Sequence, residues 1–450
     1  MSEPVVVTGL GLATSLDFGL QENWERLCAG ESGISLLDPA RFPFPVELPV
    51  RLGAMVSRDR LAERIRAAVP RAVWNTSTDV CHLWLLVALE ALAMAGLPGG
   101  QQGGAQGGAR AEPAPAGVPP AGGDSASLVE EGPVGIYVGN GAGAASFTEQ
   151  EYANVYTADK PHLRDISRMA VPKVMMSSLA GQLSILTGAR GPAVTVNTAC
   201  SSGATALVLA LDALRLGRVS RAVAGGADLP LAGAVLKGFA NLGALTARHD
   251  LGQAASRPFD ATREGFVLGE GAACLVLERA ATARARGARP LARLAGGAAA
   301  SEAYNLVSPR DHGEAMAACM REALRDAGAR PEDVRHVYAH GTGTLLNDRC
   351  EAEAIEAVLP GRPTVSATKA MLGHTIGAAG AIDAVLAAFG VVAGQAVPCR
   401  NLDAPDPHCA IRPAREVHLA APGPGGPAVY LVNSFAFGGH NATLVLTPPA

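Results

Sequence analysis

The run Val194-Thr-Val-Asn-Thr-Ala-Cys200-Ser-Ser-Gly-Ala-Thr-Ala-Leu207 constrains this chain more than any other segment. A β-branched stretch, suited to a strand, passes through a sharp turn into a small-residue helix. The helix, read as Ser201–Leu216 and closed by Gly217, is apolar on nearly all sides apart from Asp212 and Arg215. Such a helix is buried rather than amphipathic, so it needs layers of structure on every side. Nine further runs read as strands: Val5–Gly9, Gly135–Gly139, Arg221–Gly225, Ala273–Leu277, Leu291–Leu294, His336–Ala339, Thr364–Ala367, Tyr430–Asn433 and Thr443–Leu446. With Ala193–Asn197 they alternate with Ala/Leu-rich helical stretches. Several are continuous apolar runs, as expected of strands covered on both faces. The pattern predicts an α/β fold with largely parallel sheets.

The chain has 450 residues, 48% of them apolar, enough for two or three domains or one duplicated unit. A net charge of −4 supplies no footprint for nucleic acid or an anionic membrane. No apolar stretch reads as long and clean enough to span a bilayer. The eight cysteines form no Cys-x-x-Cys pair, which argues against a zinc ribbon or a thioredoxin-type site. The sequence opens on Met-Ser-Glu-Pro and then Val5-Val6-Val7, so no signal peptide is expected and the cytoplasm is the default. Residues 99–132 are Gly-, Gln-, Pro- and Ala-rich and read as a flexible low-complexity insertion inside the first half.

Cys200 stands where a strand meets a helix. A thiol there faces unpaired N–H groups and the positive end of the helix dipole, which favour the nucleophilic thiolate. The plainer reading is a buried structural cysteine. Three more segments carry chemistry: His340-Gly-Thr-Gly-Thr344 with Asn347, Asp348 and Glu351; Lys369-Ala-Met-Leu-Gly-His374 leading into Gly377–Gly380; and Asn433-Ser-Phe-Ala-Phe-Gly-Gly-His-Asn441. Each follows a strand, and open α/β sheets place ligands at strand C-terminal ends. Singly, either histidine could be a hydrogen-bonded core residue. A zinc site from Cys200, His340 and His374 would need closer ligand spacing or carboxylate support.

Together these segments resemble the β-ketoacyl-acyl-carrier-protein synthases, the ketosynthases of fatty-acid and polyketide assembly. The resemblance extends to Val5–Gly11, Ala224–Asp228, Ser256–Asp260 and Gly265–Gly271 and covers essentially the whole chain. It implies a thiolase-like, duplicated five-layered α-β-α-β-α fold acting as a dimer. Residues 1–280 would form the half with the nucleophile and 281–450 the half with both histidines, meeting near Ala280–Pro290. It also implies decarboxylative condensation of an acyl group held on Cys200 with malonyl-acyl-carrier-protein. His340 and His374 would bind the malonyl thioester carbonyl, and Lys369 would order them through a carboxylate. The N–H groups of Cys200 and Phe437 would form the oxyanion hole, with Phe437 as gate. Thr342, Thr344 and Ser308 would contact the pantetheine arm, with Asp383, Glu351 and Asp348 in support. Arg248 would contact the acyl carrier protein, because an acidic carrier calls for a basic entrance. The other patch usual in the family maps to Arg71–Thr78, which has only one positive charge. No metal or redox cofactor is implied; substrates arrive on phosphopantetheine.

The chain departs from the family at five positions. Asp383 replaces a usual Glu, and its shorter arm draws back from Lys369. Ala436 replaces Gly before the gate, and its Cβ would narrow the backbone freedom of the gating loop. Glu302, Asn305 and Val307 replace Asp, His and Thr, and Val307 has no hydroxyl for the arm. Such an entrance fits a specialised synthase. A homodimer and a heterodimer with a chain-length-factor-like subunit both fit the sequence. A non-catalytic chain-length subunit would lack the nucleophile. A thiolase would need a second cysteine in a Cys-x-Gly setting, which neither Cys399 nor Cys409 has. An initiating synthase would have Asn in place of the second histidine, His374.

Overall fold

A computed structural model describes residues 3–43, 50–99, 132–156, 162–417 and 428–449. The insertion read at 99–132 lies outside them except for its two end residues. Ten strands carry the architecture: β1 (Val5–Thr14), β2 (Val134–Gly139), β3 (Ala193–Val196), β4 (Arg221–Asp228), β5 (Gly271–Arg279), β6 (Ala292–Ser301), β7 (Val334–Tyr338), β8 (Thr364–Ser366), β9 (Val429–Ala436) and β10 (His440–Thr447). The first five lie in the order β3-β2-β4-β5-β1 and the second five in the order β8-β7-β9-β10-β6. Each order is the other advanced by five strands, so the chain is built twice on one plan. The sets touch at a short antiparallel seam, Val6 opposite Arg293 and Val7 opposite Ala292.

The expectation of largely parallel sheets needs correction. Pairing is parallel in β3-β2-β4 and β8-β7-β9 but antiparallel from β4 through β5 and β1, and from β9 through β10 and β6. Strands covered on both faces lose the polar alternation that would distinguish the two.

Helices make the other layers. These are α1 (Asp79–Met94), α2 (Ser178–Thr187), α3 (Ser202–Arg215), α4 (Glu314–Ala327), α5 (Leu345–Val358) and α6 (Ala379–Ala393). Alternate residues of a strand face opposite layers. Thus Ala224, Leu275, Val432 and Leu444 pack with Leu207 and Leu211 of α3 and Ile382 and Leu386 of α6. Their neighbours Val223 and Val276 pack on Trp84 of α1 and Leu183 of α2. Leu431 and Val445 pack on Met320 of α4 and Ile355 of α5. The result is helix, sheet, helix, sheet, helix, as the resemblance implies. Each fully buried Leu or Val contributes about 1.5–3 kcal/mol.

β3 is an edge strand with Ala193 and Val194 exposed. One further expectation changes. The helical stretch Ile376–Ala393 is long and apolar enough to cross a membrane, contrary to the sequence reading, yet 83% of it is buried in the protein. It owes its apolarity to the central layer, where both sheets cover it.

Where α3 and α6 meet, both present small residues. A Cβ on Gly203 would stand 2.9 Å from the Gly377 carbonyl oxygen and 3.0 Å from the Ala381 Cβ. Gly203→Ala is therefore expected to cost about 1–3 kcal/mol by overpacking. Gly181, in α2, has no atom within 4 Å of a built Cβ. Gly181→Ala should stabilise by up to about 1 kcal/mol through helix propensity. Urea unfolding of both variants checks the opposite signs.

Candidate active site

The duplicated plan brings equivalent strand ends of the two halves to one place. β3 ends before Cys200, β7 before His340, and β8 before Lys369 and His374. Cys200 lies in a single 3-10 turn, Ala199–Ser201, that leads into α3. Ala199 has φ 51° and Ile376 φ 44°. Positive φ at a non-glycine residue costs on the order of 1–3 kcal/mol and persists only where surroundings enforce it. The two strained residues flank Cys200 and His374.

The Cys200 sulphur and ring nitrogens of His340 and His374 lie within 4.8 Å of one another, all buried. The imidazoles are edge to face, 5.3 Å between centroids. His374 is anchored across the halves: its N–H donates to the Val267 carbonyl at 2.7 Å and its own carbonyl accepts from Gly269 at 2.9 Å. The Phe266 ring stands 5.1 Å from it, edge to face. Glu351, on α5, accepts the backbone N–H groups of His340 and Gly341, both at 2.8 Å, and the Asn433 amide at 3.2 Å. Asp348 accepts from Phe259 at 2.8 Å and Gly343 at 3.1 Å, shaping the turn after His340. Lys369 Nζ is 4.0 Å from Asp383, an ion pair too long for a hydrogen bond; the Thr368 hydroxyl donates to the other Asp383 oxygen at 2.7 Å.

Burial sets the charge states. It drives both histidines well below their usual range, with the Lys369 charge acting in the same direction, so both rings are neutral at physiological pH. Each keeps one donor and one acceptor nitrogen. His340 Nδ1, His374 Nδ1 and Lys369 Nζ are buried without a hydrogen-bond partner among the described residues. The thiol departs from the sequence expectation. Burial pushes Cys200 up to about 12, and the Asp228 charge adds to this; Lys369 and the N–H groups of Phe437 and Cys200 pull the other way. Their pull is smaller than desolvation, so the resting sulphur is a thiol. Those N–H groups stabilise negative charge as it develops. The Lys369 cation beside both rings opposes a bound metal ion, so the trio suits nucleophilic and hydrogen-bonding chemistry better than zinc.

A cavity of about 310 Å³ opens onto Cys200, His340 and His374. Thr342, Thr344, Ser308 and Val307 line it, as do Phe437 and Ala436. The threonine hydroxyls bond each other at 3.0 Å, while Ser308 and Val307 donate their N–H groups to Asn305. Ala436 has φ −115° and ψ 158°, ordinary extended backbone; Gly438 and Gly439 carry the positive φ of the bend. The alanine therefore causes no strain here. Arg248 is outside the lining, half-buried, and bound to Asp250 at 2.9 Å.

One carboxylate was not among the sequence candidates. Asp228 ends β4 and accepts N–H groups from Gly141 at 2.8 Å and Gly377 at 2.9 Å, joining the two halves beneath the cavity. Burial lifts it to about 7. Its signal was an acid closing the apolar strand Arg221–Asp228 at the same sheet end as the other site residues.

The chain matches the β-ketoacyl synthase N-terminal domain over residues 2–112 and 114–283, and the C-terminal domain over 291–403. It is 31% identical to 3-oxoacyl-[acyl-carrier-protein] synthase 2 of Coxiella burnetii and 33% identical to that of Rhizobium meliloti, covering 98% of each protein and 98% of this chain in both cases. A chloroplastic synthase I of Hordeum vulgare is 31% identical over 99% of this chain and 89% of its own. Two solved structures superpose over both whole chains with TM-score 0.82 and 27% identity. One is a type II polyketide ketosynthase bound to the hexaketide in complex with its acyl-carrier protein; the other is the ishigamide ketosynthase/chain length factor. The class defined by this fold is the thiolase-like enzymes. Within it, the chain belongs to the β-ketoacyl synthase family.

Glu351 is raised by burial to about 7, against its His340 and Gly341 hydrogen bonds. An unfolded glutamate titrates near 4.3, so its stability contribution is complete below about pH 4.3 and lost as pH rises through about 7. The stability of the wild type relative to Glu351→Gln should therefore fall between those pH values. Urea unfolding across pH checks this; a constant difference contradicts it.

Proposed function

We propose that the chain elongates acyl groups in fatty-acid or type II polyketide assembly by decarboxylative Claisen condensation. The observation that carries this reading is the meeting of one thiol and two neutral imidazoles at a single buried cavity. In the first half-reaction the Cys200 sulphur attacks an acyl thioester on an acyl carrier protein, the carrier thiolate leaves, and the thiol proton passes to it. The N–H groups of Cys200 and Phe437 hold the oxyanion. In the second, malonyl-carrier enters. Its carboxylate leaves as CO₂ and the electron pair of the broken C–C bond becomes an enolate, held by His340 and His374. The enolate carbon attacks the acyl-Cys200 carbonyl, a C–C bond forms, and the sulphur departs as a thiolate that takes a proton from solvent. Neutral imidazole donors suit this step, since the charge they meet is new. Lys369, with Asp383 nearby, sets the field around the rings; Glu351 and Asp348 fix the backbone that presents His340.

Thr342, Thr344 and Ser308 contact the pantetheine arm in this reading, and Phe437 gates the cavity. Residues 1–280 supply the nucleophile and 281–450 the histidines. No resident cofactor takes part. Eight free cysteines suit a reducing compartment, and we place the reaction in the cytoplasm. The exposed edge β3, with Tyr152, Val171, Met175 and Ile185 also exposed, supports pairing with a second subunit. That subunit is another copy or, as in the ishigamide structure, a chain length factor.

Intact-protein mass spectrometry tests the reading. After incubation with a panel of acyl-loaded carrier proteins, the wild type should gain one acyl group and Cys200→Ala none. Adding malonyl-carrier should discharge the adduct as a β-ketoacyl-carrier product. An adduct that malonyl-carrier leaves in place contradicts the elongating role.

A further inference from the structure

Asp228 closes β4, is fully buried, and has no step in the chemistry above. Its carboxylate nevertheless holds backbone from both halves. Oδ2 accepts the Gly141 N–H at 2.8 Å and the Gly377 N–H at 2.9 Å. One oxygen therefore bridges the loop after β2 and the turn Ile376–Ala378 before α6. Oδ1 accepts the Ala142 N–H at 3.2 Å and the Asn140 amide at 3.3 Å. Only a carboxylate of this reach offers acceptors to all four donors, since a carboxamide has one oxygen and two donors of its own.

Each arm of this junction ends at a reacting group. On the first, the Gly141 carbonyl accepts the Asn197 amide at 3.2 Å, and Asn197 Oδ1 accepts the Ala199 N–H at 3.2 Å. Ala199 is the strained residue before Cys200. On the second, Gly377 follows the strained Ile376, itself two residues after His374. Such strain persists only where the surroundings enforce it. The two arms are in contact: a Cβ on Gly377 would stand 2.4 Å from the Gly141 nitrogen, and one on Gly141 would stand 2.7 Å from Ile376 Cγ2. Asp228 thus sets the spacing between the turns that carry Cys200 and His374.

That spacing bears on one step above the others. Loading Cys200 needs no register with His374, and decarboxylation at the histidines needs none with the sulphur. Joining the enolate carbon to the acyl carbonyl needs both, with reacting atoms about 3–3.5 Å apart. An enolate that misses the acyl group takes a proton from solvent and leaves as acetyl-carrier. We propose that Asp228 is a positioning residue that couples decarboxylation to condensation, by holding acyl-Cys200 within reach of the enolate bound at His340 and His374. This rests on the ketosynthase reading.

The test measures how the enolate is partitioned. Enzyme loaded from hexanoyl-carrier protein is given ¹³C-malonyl-carrier, and ¹³CO₂, β-ketooctanoyl-carrier and acetyl-carrier are quantified. In the wild type, β-ketooctanoyl-carrier should equal the CO₂ released. Asp228→Asn keeps the side chain's shape and, with its oxygen on the bridge, turns an amino group toward Asn140 and Ala142. It should lower the ratio of β-ketooctanoyl-carrier to CO₂ at least about threefold, with acetyl-carrier accounting for the difference. Gly141→Ala, which leaves the carboxylate in place and pushes on Ile376, should do the same. In both, the rates of hexanoyl loading and of total CO₂ release should stay within about twofold of the wild type. Leu183→Ala, a cavity variant in the outer helix layer, should be less stable to urea yet keep the wild-type ratio. A ratio unchanged in both junction variants overturns the proposal. So does a joint fall in loading, CO₂ and product at constant ratio, which is what a purely structural role produces, or a ratio that Leu183→Ala lowers as far. A wild type that takes no hexanoyl group, or makes no β-ketooctanoyl-carrier, would instead remove the ketosynthase reading on which the proposal rests.

Discussion

The close crossing of α3 and α6 is the contact on which everything else depends. Both helices are buried between the sheets, and each starts at the site: α3 just after Cys200 and α6 just after His374. A Cβ on Gly380 would stand 2.8 Å from the Ala204 Cβ, as one on Gly203 would crowd Ala381. Glycine and alanine on both helices bring the two strand–turn–helix units into contact. A thiol from one half and an imidazole from the other thereby share one cavity. Larger residues at the crossing would leave both motifs intact and separate them.

Backbone N–H groups held by buried carboxylates stiffen what the crossing brings together. Glu351 holds the His340 turn, Asp348 the turn after it, and Asp228 ties Gly141 to Gly377 across the halves. Burying three carboxylates is costly, and burial raises the pKa of each. The return is a rigid frame that tolerates strained backbone at Ala199 and Ile376 and needs no reorganisation when charge develops. The same burial keeps the imidazoles neutral and the resting thiol protonated. The site thus holds little charge of its own beyond Lys369 and its partner, and is arranged for charge that arrives with the reaction.

Much of this was legible in the chain. Strand runs ending in Cys200, His340 and His374 announced a site at one sheet end, and an all-apolar helix announced a central layer. What local sequence cannot express was missed. Pairing direction is hidden in strands such as β4, where Val223 and Ala224 are both buried on opposite faces. The Cys200 shift comes mainly from burial by residues distant in sequence, which a helix-start argument does not register. Ala436 looked restrictive next to a glycine-rich bend. The bend places its positive φ at Gly438 and Gly439 and leaves Ala436 extended.

The central claim divides the chemistry between the halves: the first forms the covalent bond to the acyl group, and the second removes CO₂. Release of ¹³CO₂ from ¹³C-malonyl-carrier by Cys200→Ala and by His374→Ala measures that division. The account predicts that Cys200→Ala still releases CO₂ but forms no β-ketoacyl product. His374→Ala should accept the acyl group and release CO₂ about 10²–10³ times more slowly than the wild type. Loss of CO₂ release in Cys200→Ala, or its retention at the wild-type rate in His374→Ala, would contradict it.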